Sequence, residues 1–518
     1  MRNQGLGSWT ARRARKSPQA TAVIHRDRRY DYRELHERTL ARAAQLRAAG
    51  LARGDRVAYL GPNHPAYLET LFAAGLLGAV FVPLNTRLAA AELAYCLTDS
   101  GSTLMVHTED FAAAAGAAAD GVGQGVGHGA GIGLLAAEAG AVGAVPSTSE
   151  FDEPVGLDDP CMILYTSGTT GRPKGAVLTH GNLVWNAVNV VVDTDLAHDE
   201  VTLVSAPLFH TAALGMTCLP TLLKGGTVVL EEAFEEQRVL ESIPRHKVTL
   251  LFGVPAMYQR LADAPGFAQA DLSSIRTLMC GGAPVPRALI DRYLARGLGF
   301  VQGYGLTEAS PGTLLLDAEH AVSKAGSAGV PHFFTDVQLW RPDADGLGEC
   351  VAGPGETGEL RVRGPNVMAG YWGRPQDTEQ TLDGGWLRTG DLAVADPDGY
   401  VRIVDRLKDL IISGGENISP AEVEEVFYQH PVIAECAVIG VPDARWGEVG
   451  RAVVVTREPQ RPRDQAEADA LAAQLLEFAS LHLARYKVPK SVVFVASLPR
   501  SGAGKALKSV LRDQHGTP

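Results

Sequence analysis

The stretch YTSGTTGRPKG at residues 165–175 concentrates three glycines, four aliphatic hydroxyls and two cations. Glycine lets backbone N–H groups converge on an anion that side chains would otherwise block. Thr166, Ser167, Thr169 and Thr170 add hydroxyl donors alongside Gly168 and Gly171, and Lys174 adds a point charge. Such a donor set suits a polyphosphate. The loop is not of the Walker A type. Counted from Gly168, the second glycine would fall at Pro173, and Gly175 stands where Ser or Thr should follow the lysine. A flexible Ser/Gly linker is the rival reading, and it gives no reason for the Pro-Lys-Gly ending.

A loop that grips phosphates must hang from rigid elements. CMILY (161–165) reads as a strand leading in, and HGNLVWNAVNVVV (180–192) as a helix that follows. DRVAYLG (55–61), GTVVLEE (226–232) and KVTLLFGVP (247–255) read as short buried strands, and YRELHERTLARAAQLRAAG (32–50) as an amphipathic helix. This alternation predicts an α/β fold, a large multi-layer N-terminal domain with mostly parallel sheets. LFAAGLLGAVFVPL (71–84) predicts a buried helix running into a strand, too short to span a bilayer. Residues 111–145, almost all Ala, Gly and Val, predict a variable, mobile surface insertion.

Beyond residue 391 the pattern changes. A turn at Asp396–Gly399 precedes a helix over 419–431, where Ser419 and Glu422 form a capping box. A strand over 433–442, a helix over 465–486 and a strand over 490–499 complete a compact α+β segment. The boundary is placed close to Asp405–Lys408, giving domains 1–405 and 406–518, the second small and mobile. A chain of 518 residues is long enough to require two such units.

The net charge of −12 excludes general affinity for nucleic acid or anionic membrane. ARRARK at 11–16 is followed by no apolar run, so no signal-peptide pattern is visible. Six cysteines without CxxC spacing predict reduced, buried thiols in a cytoplasmic protein and no structural zinc.

YTSGTTGRPKG resembles the phosphate loop of the acyl-adenylate-forming superfamily, which includes acyl-CoA synthetases, adenylation domains of peptide synthetases and beetle luciferases. The family's other motifs follow in order: GYGLTE (303–308), WLRTGDLA (386–393), VDRLKDLIISGGENISPAEVE (404–424) and PRSGAGKALK (499–508). The resemblance spans essentially the whole chain and looks most like bacterial fatty-acyl-CoA synthetases. It implies that a carboxylate attacks the α-phosphate of ATP, releasing pyrophosphate, and that a thiol, usually that of coenzyme A, then takes the acyl group.

Under that resemblance Glu308 is the Mg²⁺ ligand, because a single carboxylate plus phosphates commonly suffices. Thr307 bonds the α-phosphate. Tyr304, beside Gly305, stacks on adenine or is a core tyrosine, and Gly281, Gly282 and Ala283 let backbone approach the nucleotide. Asp391 accepts the ribose hydroxyls, with Arg406 as a second ribose and phosphate contact. Lys505 bridges substrate carboxylate and α-phosphate during adenylation, whereas Lys508 reads as a solvated helix residue. Lys408 is the hinge, and Ser413, Gly414 and Gly415 line a pantetheine tunnel.

His210 in PLFHTAALG gates the acyl site or is a core histidine. Phe209, Met216, Phe252, Val254 and Met257 give the acyl pocket an apolar lining, suiting a fatty or aromatic acid. Ala212 and Ala213 replace glycines usual in the family and reshape the pocket entrance. The expected enzyme is therefore an AMP-forming acid–thiol ligase using ATP, Mg²⁺ and coenzyme A. A carrier-protein thiol, an amine or another small nucleophile is the alternative acceptor.

Overall fold

The computed structural model describes residues 2–122, 131–138, 147, 150, 151, 153–166, 172–283, 285–341, 353–407, 409–413, 416–457, 461–500 and 506–516. The chain divides into two compact units. Met1–Val337 with Val362–Arg388 forms the first, and Gln338–Arg361 with Thr389–Pro518 the second.

In the first unit, VFVP and the VAYL that follows Arg56 are buried throughout, so their strands are covered on both sides and pair in parallel. Strands β1 (Arg56–Leu60), β2 (Val80–Pro83), β3 (Ser102–His107), β4 (Pro160–Thr166) and β5 (Lys174–Thr179) belong to one sheet. Its order is Gly370–Tyr371, β5, β4, β2, β1, β3, Gly133–Ala136, and β4–β5 is antiparallel. Helix α1 (Ala90–Ser100) packs on this sheet, burying Leu93 and Leu97. Helix α2 (His180–Asp193) begins at a reciprocal cap between Thr179 and Asn182.

The second sheet holds β6 (Val201–Val204), β7 (Thr227–Leu230), β8 (Leu250–Gly253), β9 (Thr277–Gly281), β10 (Phe300–Gly305) and β11 (Gly312–Leu316). Its order from one edge is Val330–Pro331, β11, β10, β9, β8, β6, β7, Thr21–His25, Arg28–Asp31. From β10 to β7 every neighbour is parallel, whereas β11 returns antiparallel to β10.

The expected mobile insertion is corrected at two places. Ala112–Val122 is a helix whose Ala115 and Ala118 are fully buried against Leu93 and Leu97 of α1. Gly133–Ala136 adds a parallel strand beside β3. Small side chains are what allow this close approach: a Cβ at Gly121 would sit 3.0 Å from the Ala94 Cβ. The intervening residues 123–130 lie outside the described residues.

The second unit carries the antiparallel pairing of Asp391–Ala395 with Val401–Arg406, closed by the turn at Asp396–Gly399. Ser419 caps helix Pro420–Tyr428 by accepting the Glu422 N–H. Strands Ile433–Asp443, Gly447–Thr456 and Ser491–Phe494 and helix Gln465–His482 enclose a core of Ile411, Val423, Phe427, Val438, Val454 and Leu475.

Candidate active site

Parallel α/β sheets bind ligands at the carboxyl ends of their strands. At those ends of β8, β9 and β10 the backbone is stripped of side chains. A Cβ at Gly281 would lie 3.0 Å from the Gly303 carbonyl and 3.7 Å from the Phe252 ring, and one at Gly282 3.4 Å from Val254. Met257 closes the same edge, 3.5 Å from a Cβ at Gly253. Phe209 and Phe252 are buried, Val254 and Met257 half-buried, and Ala283 exposed. His210, half-buried, has its ring 4.8 Å from that of Phe209. Met216 is buried in a single π-helical turn, Leu214–Cys218, an irregularity frequent at functional sites.

Tyr304 and Gly305 end β10. Any Cβ at Gly305 would collide with the Pro311 carbonyl, so only glycine fits there. The chain then makes a 3₁₀ turn over Thr307–Ala309, with Ser310 in the left-handed region at φ +71° and fully buried. Glu308 Oε1 accepts from the Tyr371 hydroxyl at 2.9 Å and from Thr166 Oγ1 at 3.4 Å. Burial, then the neighbouring Glu308 carboxylate, pushes the Tyr371 phenol well above its ordinary value, so it stays a donor.

Thr166 at the end of β4 is directly opposite Lys174 at the start of β5. The expected phosphate loop therefore connects two antiparallel strands, and β5 intervenes between it and the expected helix, which is α2. Ser167, Gly168, Thr169, Thr170 and Gly171 lie outside the described residues. Both flanks are anchored to α1. Tyr165 donates to Asp99 at 2.9 Å, and Tyr95 donates to the Pro173 carbonyl at 3.0 Å. Arg374 bonds both Tyr95 and Asp99 at 2.9 Å. Lys174 Nζ meets Asp377 Oδ1 at 2.5 Å.

Mg²⁺ prefers hard oxygen ligands and keeps several positions for phosphate and water. Among the described residues no group of three or more His, Cys, Asp or Glu side chains could hold a metal ion alone. The Glu308 carboxylate, beside the Thr166 hydroxyl at the edge of the phosphate loop, offers the oxygen donors that a nucleotide-borne Mg²⁺ takes.

In the second unit, Asp391 is 4% exposed and its Oδ1 lies 2.9 Å from Arg406 Nε, so the two expected ribose contacts are partners of each other. Ser413 is buried, in register with Glu416 and Gly447. Lys508 is not a solvated residue: it pairs with Glu424 at 2.8 Å and is 16% exposed. It starts helix Lys508–His515, whose Arg512 holds Asp409 at 2.6 Å. Lys408, Gly414, Gly415 and Lys505 lie outside the described residues.

Sequence reasoning missed Tyr371, Asp377, Asp99 and Arg374. Each is an ordinary residue type far in sequence from its partner, and Asp377 reads as nothing more than a first-turn acid of helix Pro375–Thr381. Only the GYW glycine–aromatic run at 370–372 could have drawn attention to Tyr371.

Comparison with known proteins bears on the family and the fold. The AMP-binding enzyme family model matches residues 10–372, and the AMP-binding enzyme C-terminal domain model residues 422–505. A feruloyl-CoA synthase of Amycolatopsis sp is 58% identical over 516 residues, covering 100% of both chains. A long-chain-fatty-acid–CoA ligase of Mycobacterium tuberculosis is 40% identical, covering 99% of both. Among solved structures, o-succinylbenzoate CoA synthetase of Bacillus subtilis in complex with its acyl-adenylate intermediate matches at 33% identity with a TM-score of 0.85 over 98% of both chains. The same enzyme is also known in complex with ATP and a magnesium ion. Among the described residues no helix is long and apolar enough to cross a membrane. Matched along both domain models and end to end by these relatives, the chain belongs to the AMP-binding enzyme family, as an AMP-forming acid–thiol ligase.

Proposed function

We propose that this ligase activates an aromatic propenoic acid of the ferulate type and delivers it to coenzyme A. The observation that carries this reading is the 58% end-to-end identity to a feruloyl-CoA synthase, against 40% to a long-chain-fatty-acid ligase. The apolar edge formed by Phe252, Val254 and Met257, with the Phe209–His210 ring pair, supports a flat acyl group.

The first half-reaction forms a bond from a carboxylate oxygen to the α-phosphorus while the bond to pyrophosphate breaks. Thr166, the glycine-rich loop and Lys174 orient the phosphates, Thr307 bonds the α-phosphate, and Lys505 offsets the charge between the two anions. Glu308 would hold Mg²⁺, which when bound would add to the neutralisation of the phosphates. Tyr304 with Gly281–Ala283 accommodates the adenine, and Asp391 with Arg406 the ribose. In the second half-reaction the thiol sulfur attacks the acyl carbon, its proton passes to water, and AMP leaves with the former carboxylate oxygen. Ser413, Gly414 and Gly415 leave room for the thiol arm, and Lys408 turns a second domain that begins at residue 406. Five described cysteines, all buried and free, support a cytoplasmic setting.

Measuring kcat/KM for ferulate, cinnamate and straight-chain acids of eight to sixteen carbons tests the substrate class. An aromatic preference is expected, and a preference for the long aliphatic acids overturns it.

A further inference from the structure

A polar stripe runs down one face of α2, formed by Asn182, Asn186, Asn189 and Asp193 at spacings of four, three and four. A buried helix face is normally apolar, and a buried amide is costly unless its arms are bonded. Here the arms are bonded. Asn182 Nδ2 donates to the Pro365 and Val367 carbonyls at 2.8 and 2.7 Å. Asn189 donates to Thr335 Oγ1 at 3.1 Å and accepts the Phe334 N–H at 2.9 Å. Asp193 pairs with His332 and accepts the Phe333 N–H at 3.2 Å.

Asn186, with 0% exposure, is the member that bonds the segment following Glu308. Its Oδ1 accepts the Gly312 N–H at 2.9 Å and its Nδ2 donates to the Gly215 carbonyl at 2.8 Å. Asn366, also at 0%, donates to the Ala309 and Gly312 carbonyls at 3.0 and 2.7 Å and accepts from Thr335 at 3.1 Å. The two amides therefore grip both ends of the Ala309–Gly312 segment that follows Glu308. The Glu308 carbonyl itself accepts the Met368 N–H at 2.8 Å.

Gly215 belongs to the π-helical turn that carries Met216 of the acyl pocket. A Cβ there would lie 2.7 Å from the Ser310 carbonyl oxygen and 2.9 Å from Pro311. The acyl-pocket turn thus presses directly on the loop behind Glu308, and one side chain ties the two together.

We propose that Asn186 and Asn366 are positioning residues that set the metal affinity of Glu308 and hold its loop in register with the acyl pocket. The proposal rests on the reading of Glu308 as the Mg²⁺ ligand. An asparagine suits this junction because it donates and accepts at once, bonding a loop N–H and a helix carbonyl that a leucine of similar size would leave unpaired.

The test is Mn²⁺ affinity, read by electron paramagnetic resonance on the full chain with a non-hydrolysable ATP analogue, with circular dichroism to verify folding. Asn186→Ala and Asn366→Ala should each weaken Mn²⁺ binding about tenfold, the size expected for losing a group that orients a metal ligand. Asn186→Asp keeps the acceptor for Gly312 and loses the donor to Gly215, so it should raise the KM for the acid more than it lowers kcat; it also carries the test if Asn186→Ala fails to fold. Tyr32→Phe removes a buried hydroxyl that donates to the Gly226 carbonyl at 2.7 Å, and should lose stability with Mn²⁺ affinity unchanged. Folded asparagine variants with wild-type Mn²⁺ affinity overturn the proposal. Glu308→Gln with wild-type affinity overturns instead the metal assignment beneath it.

Discussion

Lys174 Nζ sits 2.5 Å from Asp377 Oδ1, so the cation that opens β5 beside the phosphate loop is held by a carboxylate from helix Pro375–Thr381. The pair orients the lysine but brings a negative charge close to the proposed phosphate site. Asp377→Asn should therefore lower the KM for ATP several-fold at low salt, with the gain shrinking as ionic strength rises. Lys174→Ala should raise that KM. A rise in both variants would mean that Asp377 works by aiming the lysine.

Tyr371 donates to the same Glu308 oxygen that faces Thr166. Tyr371→Phe removes this donor with little change in volume. The Mg²⁺ concentration for half-maximal pyrophosphate release should rise about tenfold. An unchanged Mg²⁺ curve would separate Tyr371 from the metal site.

The family was legible from sequence because its motifs stand in order along the chain, and both domain models match it; residues 167–171 of the loop itself lie outside the described residues. The parallel strands were legible too, since β8 is an unbroken apolar run and β1 becomes one after Arg56. The β5 strand was not: KGAVLT opens with a charge and a glycine, and only its register against β4 makes it a strand. Tyr371, Asp377, Asn186 and Asn366 gain their roles from partners 63, 203, 126 and 57 residues away, a relation that no local pattern encodes. The alanine-rich helix failed for a different reason. Small residues signal disorder by composition but close packing by geometry.

That packing is itself testable. Ala115→Leu adds volume at a fully buried position packed in one cluster with Leu93 and Leu97 of α1. Urea unfolding should register a loss of about 1–3 kcal/mol. A neutral result would mean the helix can lift off the sheet.

His180 provides a pH dependence. Its Nδ1 accepts the Leu6 N–H at 3.1 Å in a fully buried setting, and burial pulls its pKa from 6.5 down to about 4, with Asp159 opposing. Because the folded value is depressed, the neutral ring's stabilisation is fully present above pH 6.5 and is lost as pH falls toward about 4. The loss amounts to about 3 kcal/mol at most. Chemical unfolding at pH 7.0, 5.5 and 4.5 (about half the loss expected by the middle value) should show a shallower decline in His180→Asn. Parallel declines would assign the acid sensitivity elsewhere.

The central claim is that the acid's oxygen is passed to the nucleotide before the thiol takes the acyl group. Ferulate labelled with ¹⁸O in its carboxylate, incubated with ATP, Mg²⁺ and coenzyme A, should give feruloyl-CoA together with AMP carrying one ¹⁸O atom by mass spectrometry. Thioester formed with unlabelled AMP, or label recovered only in phosphate or pyrophosphate, would contradict an acyl-adenylate route.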